Sequence, residues 1–465
     1  MTAVPTAAAP GREPAGWFGH PSGLSTLFFT EMWERFSYYG MRAFLILYMT
    51  APLAAGGLGF DVRHAGSVYG TYTSSAWAAA IFGGIAADRA LGQYRSVLLG
   101  GIVIALGHFT LAFKALPFFY AGLSLIVVGT GLLKPNVSTL VGGLYDPSDA
   151  RRDAGFSIFY MGINLGAALG PLIAGWFAQK VNWHLGFACA GVGMTFGLVQ
   201  YVRGKGRLDP ARERLAAQRR AAGATPPGGA GGATTSAPAA VRIEPTGLGF
   251  TAREWKRIAA MLVFFVFAAV FWAAYEQAGS TLNLFGDRYT RLSVLGLTFP
   301  SSWFVAVQAI FVILLAPLFA WLWVRLGPRE PSSPAKFAWG LFCIGASFVL
   351  LMPAATYAQS SPGVRVSPLW LVACYFVQEL GELSLSPVGL SVFTKLAPVR
   401  IVGMMLGVWF LADALGNKLA GWTAGFFTAM PLAQLFSIVA AACLAAAAIL
   451  LVLIRPLRGL MGGVH

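Results

Sequence analysis

Apolar runs of membrane-spanning length recur along the whole chain, separated by short polar segments. Twelve such runs are legible, at about 24–50, 66–87, 95–114, 117–141, 155–178, 184–202, 257–282, 300–325, 336–356, 368–395, 400–425 and 431–454. Each predicts a helix, because only a helix satisfies its own backbone polar groups in lipid. The first run departs from the rule it obeys. It reads LFFTEMWERFSYYGMRAFLILYMT and carries Glu31, Glu34, Arg35 and Arg42. At roughly 100° per residue, these four and Tyr38 fall within an arc of roughly 100° on one face. A charge at the centre of a spanning helix costs about 2.5–3.5 kcal/mol on insertion scales, so this stripe requires partners, water or a substrate.

One long polar stretch, 203–256, interrupts the pattern between the sixth and seventh runs. It begins with the basic helical pattern LDPARERLAAQRRAA, a solvated or lipid-surface helix. It continues as ATPPGGAGGATTSAPAA, a flexible linker that cannot bury a core. The stretch divides the chain into a cytoplasmic tail (1–23), a six-helix bundle (24–202), a cytoplasmic linker (203–256), a second six-helix bundle (257–454) and a second tail (455–465). Two such halves around a midplane site are the major facilitator architecture. The fold class expected is therefore an all-α polytopic membrane protein.

Composition agrees with this. Of 465 residues, 57% are hydrophobic and only 11% charged, too little charge to cover a soluble surface. The net charge of +15 raises the question of nucleic acid, but its placement answers against it. About 23 of the Lys and Arg side chains, among them Arg89, Arg95, Arg151, Arg152, Arg325, Arg329 and Lys336, fall in loops on one side. About six fall on the other: Arg63, Lys114, Lys180, Arg288, Arg291 and Arg365. The positive-inside rule then places both termini in the cytoplasm. Residues 1–23 lack the apolar core of a cleavable leader. Cys189, Cys343, Cys374 and Cys443 lie in apolar runs without disulfide or metal spacing. No metal-spaced histidine cluster or nucleophile–base pair supports an intramembrane enzyme.

The first-run sequence EMWERFSYYGMR resembles the signature of the proton-dependent oligopeptide transporter family. Further similarity lies in GGIAADRALG after span two, GTGLLKPNVS in span four and FSIFYMGINLGAALGP in span five. It continues in FWAAYEQ in span seven, GELSLSPVGLSVFTKLAP in span ten and WFLADALGN in span eleven. The resemblance implies proton-coupled uptake of di- and tripeptides, with protons as the coupling ion and no other cofactor. It further implies a functional monomer in the lipid bilayer of the cell inner membrane. Such substrates share a carboxylate and an ammonium and differ in between, so a promiscuous carrier fixes the two ends by charge. By position, the resemblance assigns Arg42 and Lys134 to the peptide carboxylate, and Asn164, Gln308 and Glu382 to the amino terminus. Tyr38, Tyr39, Tyr72, Trp77 and Trp409 would line the pocket. Glu31, Glu34, Arg35 and Glu276 would couple protons, with Lys134 as an ion-pair partner of the first-span cluster. Asp88 and Arg89 would serve gating or packing. A glutamate paired to Arg stays ionised, and losing that partner to a peptide carboxylate favours its protonated form.

The chain also departs from the family pattern. Tyr69-Gly70 stands where some members have a histidine beside a tyrosine, Trp77 where a tyrosine is frequent, and Gln308 where an asparagine is. Asp413 and Lys418 occupy positions that are more usually neutral; five residues apart, they make a poor intrahelical pair, so other helices or water would supply their partners. Pro387 predicts a broken tenth span at LSLSPVG. Glu379 could face headgroups, water or Lys418, and His108 in its apolar run is a packing residue. Two other functions remain open: a proton-coupled carrier of another small zwitterion, nitrate or an amino-acid conjugate, and a non-transporting peptide sensor.

Overall fold

In the computed structural model, which describes residues 16–146, 148–223, 250–361, 363–398 and 401–462, the apolar runs are helices. The first half contains α1 (Gly23–Thr50), α2 (Val62–Ala86), α3 (Gln93–Leu111), α4 (Leu116–Gly143), α5 (Arg152–Trp176) and α6 (Trp183–Arg203). A basic helix, α7 (Asp209–Gly223), follows. The second half contains α8 (Ala252–Tyr275), α9 (Thr281–Tyr289), α10 (Trp303–Leu326), α11 (Ser333–Ser360), α12 (Leu369–Leu396), α13 (Val402–Ala424) and α14 (Leu432–Met461). The flexible part of the expected linker lies outside the described residues. A two-stranded hairpin, β1 (Ser293–Val294) and β2 (Leu297–Thr298), turns through Leu295 and Gly296, both at positive φ.

Helix starts follow local chemistry. Asp61 accepts from the His64 N–H ahead of α2, and Asn182 from the His184 N–H ahead of α6. Thr251 and Glu254 form a capping box on α8. Among the described residues, eight spans are apolar enough to cross a membrane by length and composition alone, α8 and α9 counting as one. The remaining four, α1, α2, α12 and α13, are as long but more polar, and they carry most of the buried charge described below.

Within the first half α1 packs on α5 and α6, α3 on α4 and α6, and α2 on α4. Within the second, α11 packs on α12 and α14, α8 on α13 and α14, and α10 on α12. The halves meet through α2 against α13 and α5 against α10. Where α2 crosses α13, a Cβ on Gly70 would sit 3.0 Å from Gly421 Cα. Only backbone fits there, as small-residue membrane contacts require.

Three features differ from the sequence expectation. The seventh span is longer than 257–282 and is broken. α8 ends in a 3-10 turn, Glu276–Gly279, and the chain restarts as α9. The tenth span is not broken, because α12 runs through Pro387. Neighbouring helices tolerate a proline, and the Leu383 carbonyl that it leaves without an N–H donor, at membrane depth. Finally, α7 is docked rather than free. Arg214 donates to the Gly143 carbonyl at 2.7 Å, and the Arg212 guanidinium lies 4.9 Å from the Tyr94 ring centroid.

Candidate functional site

The charged stripe of α1 lies buried between neighbouring helices and divides in two. Near the start of the helix, Arg35 Nε lies 3.1 Å from Glu31 Oε1 and also pairs with Glu34. All three are at most 3% exposed. Because the acids stand four and one residues before the base, a single helix face closes the cluster. It is not saturated. Glu31 Oε2, Glu34 Oε1 and Arg35 Nη2 find no hydrogen-bond partner among the described residues. The Tyr38 ring lies 5.3 Å from the Arg35 guanidinium.

Two turns later the partner comes from the other half. Arg42 pairs with Glu276, the first residue of the 3-10 turn that breaks the seventh span. Arg42 Nε also donates to the Tyr69 hydroxyl at 2.6 Å, and its guanidinium lies 5.7 Å from the Tyr39 ring. Gly279 leaves the room this requires, since a Cβ there would collide with the Tyr69 hydroxyl and sit 2.9 Å from Arg42 Nε. The break in the helix thus places the carboxylate and clears the space beside it.

Lys134 stands elsewhere than expected. Its Nζ lies 2.6 Å from the Trp77 ring centroid, and Trp77 stacks on Phe410 of α13 at 5.9 Å. Among the described residues no ion pair within 4.0 Å joins Lys134 to Glu31 or Glu34, because Arg35 already occupies both acids. The ammonium rests instead on an aromatic face, and Asp413 of α13 is within its electrostatic reach.

On the opposite wall α12 presents two buried acids one turn apart. Glu379 accepts from the Tyr275 hydroxyl at 2.8 Å. Glu382 lies beside Ser386, and its Oε2 finds no partner among the described residues. Tyr160 of α5 lies within electrostatic reach of both acids, and Asn164 Nδ2 donates to the Tyr160 backbone carbonyl at 3.1 Å, one turn back on the same helix. The turn of α5 that carries Tyr160 and Asn164 thus faces Glu382 across the bundle interface through Tyr160. Gln308 is turned away from this pair, donating to Gln378 Oε1 at 3.1 Å, and Gln378 in turn donates to Ser347. Trp409 packs against Phe393 and Phe337 inside its own bundle. Tyr38 and Tyr72 lie 6.4 Å apart, with hydroxyls unpartnered among the described residues.

The remaining expected positions make contacts outside these pairs. Asp88 accepts from Gln93 at 3.2 Å, and Arg89 is exposed beside it. His108 is fully buried in α3, away from these groups. Lys418 reaches Thr71 Oγ1 of α2 at 2.6 Å, while Asp413 accepts from Asn417 at 2.7 Å. The four cysteines are free, and the described residues contain no cluster of His, Cys, Asp or Glu suited to a metal.

Several inter-bundle contacts carry no sequence signal. Gln179 donates to Ser301 Oγ at 2.8 Å and accepts from the Ser302 N–H at 2.9 Å. Trp303 Nε1 donates to the Leu172 carbonyl at 3.0 Å, and Asn283 to the Ala43 carbonyl at 2.7 Å. All lie towards the membrane face where α1 and α5 end and α2 and α10 begin, which is the face opposite the chain termini.

Residues 94–212 and 250–440 match the POT family. A peptide transporter of Yersinia enterocolitica, YePEPT, is 41% identical over 96% of this chain and 96% of its own length. A di-/tripeptide transporter of Lactococcus lactis is 38% identical over 97% of this chain and 98% of its own. The crystal structure of a POT peptide transporter in complex with sulfate superposes with a TM-score of 0.85 at 40% identity, covering 96% of this chain and 97% of that one. A mutant POT peptide transporter in complex with alafosfalin superposes at 0.83, with 40% identity and coverage of 96% and 97%. The chain belongs to the POT family, with the two-bundle facilitator fold of those structures.

Proposed function

We propose that the protein is a proton-coupled symporter of di- and tripeptides that works by alternating access, with the peptide ends held by opposite charges of the two bundles. The observation that carries this reading is the Arg42–Glu276 pair, which joins an N-terminal cation to a C-terminal acid at a break in the membrane helix. A peptide carboxylate that takes Arg42 in bidentate fashion removes the counter-charge of Glu276, and an unpaired buried carboxylate then favours a proton. Release of either ligand reverses the preference, which is reciprocal linkage between two sites. Lys134 adds a second cation for the carboxylate. Glu382, with its free oxygen, receives the ammonium, supported by Asn164 and Tyr160. Gln308 holds α12 through Gln378 rather than touching the peptide. Tyr38, Tyr39, Tyr72 and Trp77 wall the space between these ends, and Trp409 supports α12 from behind. The cluster of Glu31, Glu34 and Arg35 responds to protons through its unfilled hydrogen-bonding positions. Asp88 and Arg89 act at the cytoplasmic face.

The loop charges support a cytoplasmic position for both termini, and the protein works as a monomer in the lipid of the inner membrane. The polar contacts of Gln179, Trp303 and Asn283 then close the outer face. The proton is the only coupling ion invoked, and the reaction is transport rather than covalent catalysis.

Purified protein in proteoliposomes under an inward proton gradient should accumulate a free dipeptide, and blocking both termini should abolish its competition. Folded protein that binds dipeptides without gradient-driven accumulation would make it a sensor. Undiminished competition by doubly blocked peptides would overturn the two-ended site.

A further inference from the structure

Asp413 is an acid that the mechanism above does not use. It is 5% exposed in the middle of α13. One oxygen accepts from Asn417 at 2.7 Å, one turn along the same helix. Phe410, one turn earlier on the same face, is the ring on which Trp77 stacks, and Trp77 in turn carries the Lys134 ammonium. This chain of contacts runs from α4 through α2 to α13 and brings the N-terminal cation up against the C-terminal bundle. Lys134 has no carboxylate within ion-pair distance among the described residues, and Arg35 has taken both acids of α1.

The groups around Asp413 leave Lys134 as its natural counter-charge. Lys134, Arg42 and Glu276 are in its electrostatic reach, as is Tyr39 of α1. Arg42 is committed to Glu276 and Tyr69. Lys418, on α13 itself, is turned to Thr71. Of the other elements against α13, α2 brings Tyr69 and Tyr72, and α8 brings Trp272, on which Gly416 packs. From α12 come Glu379, held by Tyr275, and Glu382, beside Ser386. From α9 come Asp287, bonded to Ser301, and Arg288, set over Phe427.

We infer that Asp413 is the acid across the bundle interface that balances Lys134 at rest, and that a substrate carboxylate pairing with Lys134 removes that balance, so that Asp413 takes a proton from solvent and substrate binding takes up one more proton than the Arg42–Glu276 exchange alone. Asp413 acts through Lys134 and is a positioning residue; the inference rests on the peptide reading above. The substrate carboxylate becomes the ion-pair partner of the ammonium, and Asp413 loses its counter-charge. The proton comes from solvent and stays on Asp413 until the substrate leaves.

The test is calorimetric titration of a free dipeptide into the purified full chain. It is run in two buffers of different ionisation enthalpy across pH 5 to 8, which counts the protons taken up on binding. Asp413→Asn should bind the dipeptide with its count lowered by about one proton and a flatter pH profile of affinity. An unchanged count and profile in folded Asp413→Asn would overturn the inference. Should that variant fail to fold, Asp413→Glu keeps the acid on a longer arm. A displaced midpoint of proton uptake supports the inference, and an unmoved midpoint overturns it. Absence of dipeptide binding by the unsubstituted protein would instead defeat the peptide reading on which all this stands.

Discussion

The two ends of the charged stripe on α1 solve the same problem in opposite ways. Glu31, Glu34 and Arg35 neutralise one another within a single helix, so no rearrangement of the bundles has to separate them. Arg42 draws its counter-charge from Glu276 in the other half, so any motion that parts the halves must break that pair or replace one member. A buried pair gains little over a hydrophobic one in stability, but removing one partner is costly because the survivor is left charged and dry. The first arrangement suits a structural and proton-responsive element. The second suits a switch, because its cost is cancelled whenever a ligand supplies the missing charge.

The sharpest way to break this contrast is at Arg35. Replacing it by Ala leaves two buried carboxylates with no cation paired to them, since Arg42 on the same helix is committed to Glu276, which should cost about 3–5 kcal/mol of stability. Thermal unfolding of the purified variant should show a large fall in Tm and reduced folded yield. An unchanged Tm would mean that the cluster is already neutralised by something else, and the self-contained reading would fall.

Glu276→Gln should behave differently: Arg42 loses its counter-charge, but the amide oxygen and the Tyr69 hydroxyl still accept from the guanidinium, so it is not left without hydrogen bonds. The variant is expected to fold and to exchange peptide passively across proteoliposomes. Its gradient-driven accumulation should fall to the level seen without a gradient. Uphill transport preserved in this variant would remove the proton role of Glu276 and, with it, the reason for placing a switch there.

The sequence made this half of the contrast visible. The 100° arc of α1, the two-bundle division and the opposed signs of Arg42 and Glu276 are all local or compositional facts. What stayed hidden depended on side-chain partners set by tertiary packing. The 3-10 break at Glu276 has no proline or paired glycine before it to announce it, while Pro387, which does announce a break, is absorbed by α12. Lys134 was expected at the first-span acids, but Trp77 captures it, since an aromatic face one helix away competes well with acids already paired to Arg35. Tyr275 against Glu379, the Gln308–Gln378–Ser347 ladder and the Gln179 contacts involve uncharged groups far apart in sequence, which no periodicity marks.

Glu382 tests whether the far wall reads the amino end. Its Oε2 is free among the described residues, whereas Glu379 is engaged by Tyr275. A charge-assisted hydrogen bond contributes about 1.5–3 kcal/mol. Glu382→Ala should therefore weaken binding of free dipeptides about tenfold or more while hardly changing that of amino-blocked ones. Equal losses for both would show damage to α12 rather than a lost ammonium contact, and would leave the Arg42 side as the only charged hand in the site.

The smallest effect is expected at the outer face, where the switch acts together with neutral contacts. Gln179 makes two hydrogen bonds to the loop before α10, one to Ser301 Oγ and one from the Ser302 N–H. Ser301 keeps Asp287 as a partner if Gln179 is lost, so Gln179→Ala should not unfold the segment. At about 1 kcal/mol per hydrogen bond, the closed outer face should lose about 2 kcal/mol against the open one. Spin labels placed across the end of α5 and the start of α10 should then show a larger population at long separation. That shift should be smaller than the one caused by Glu276→Gln, where a charged contact between the bundles is weakened. An equal or larger shift from Gln179→Ala would mean that the neutral contacts, and not the Arg42–Glu276 pair, hold the two halves closed.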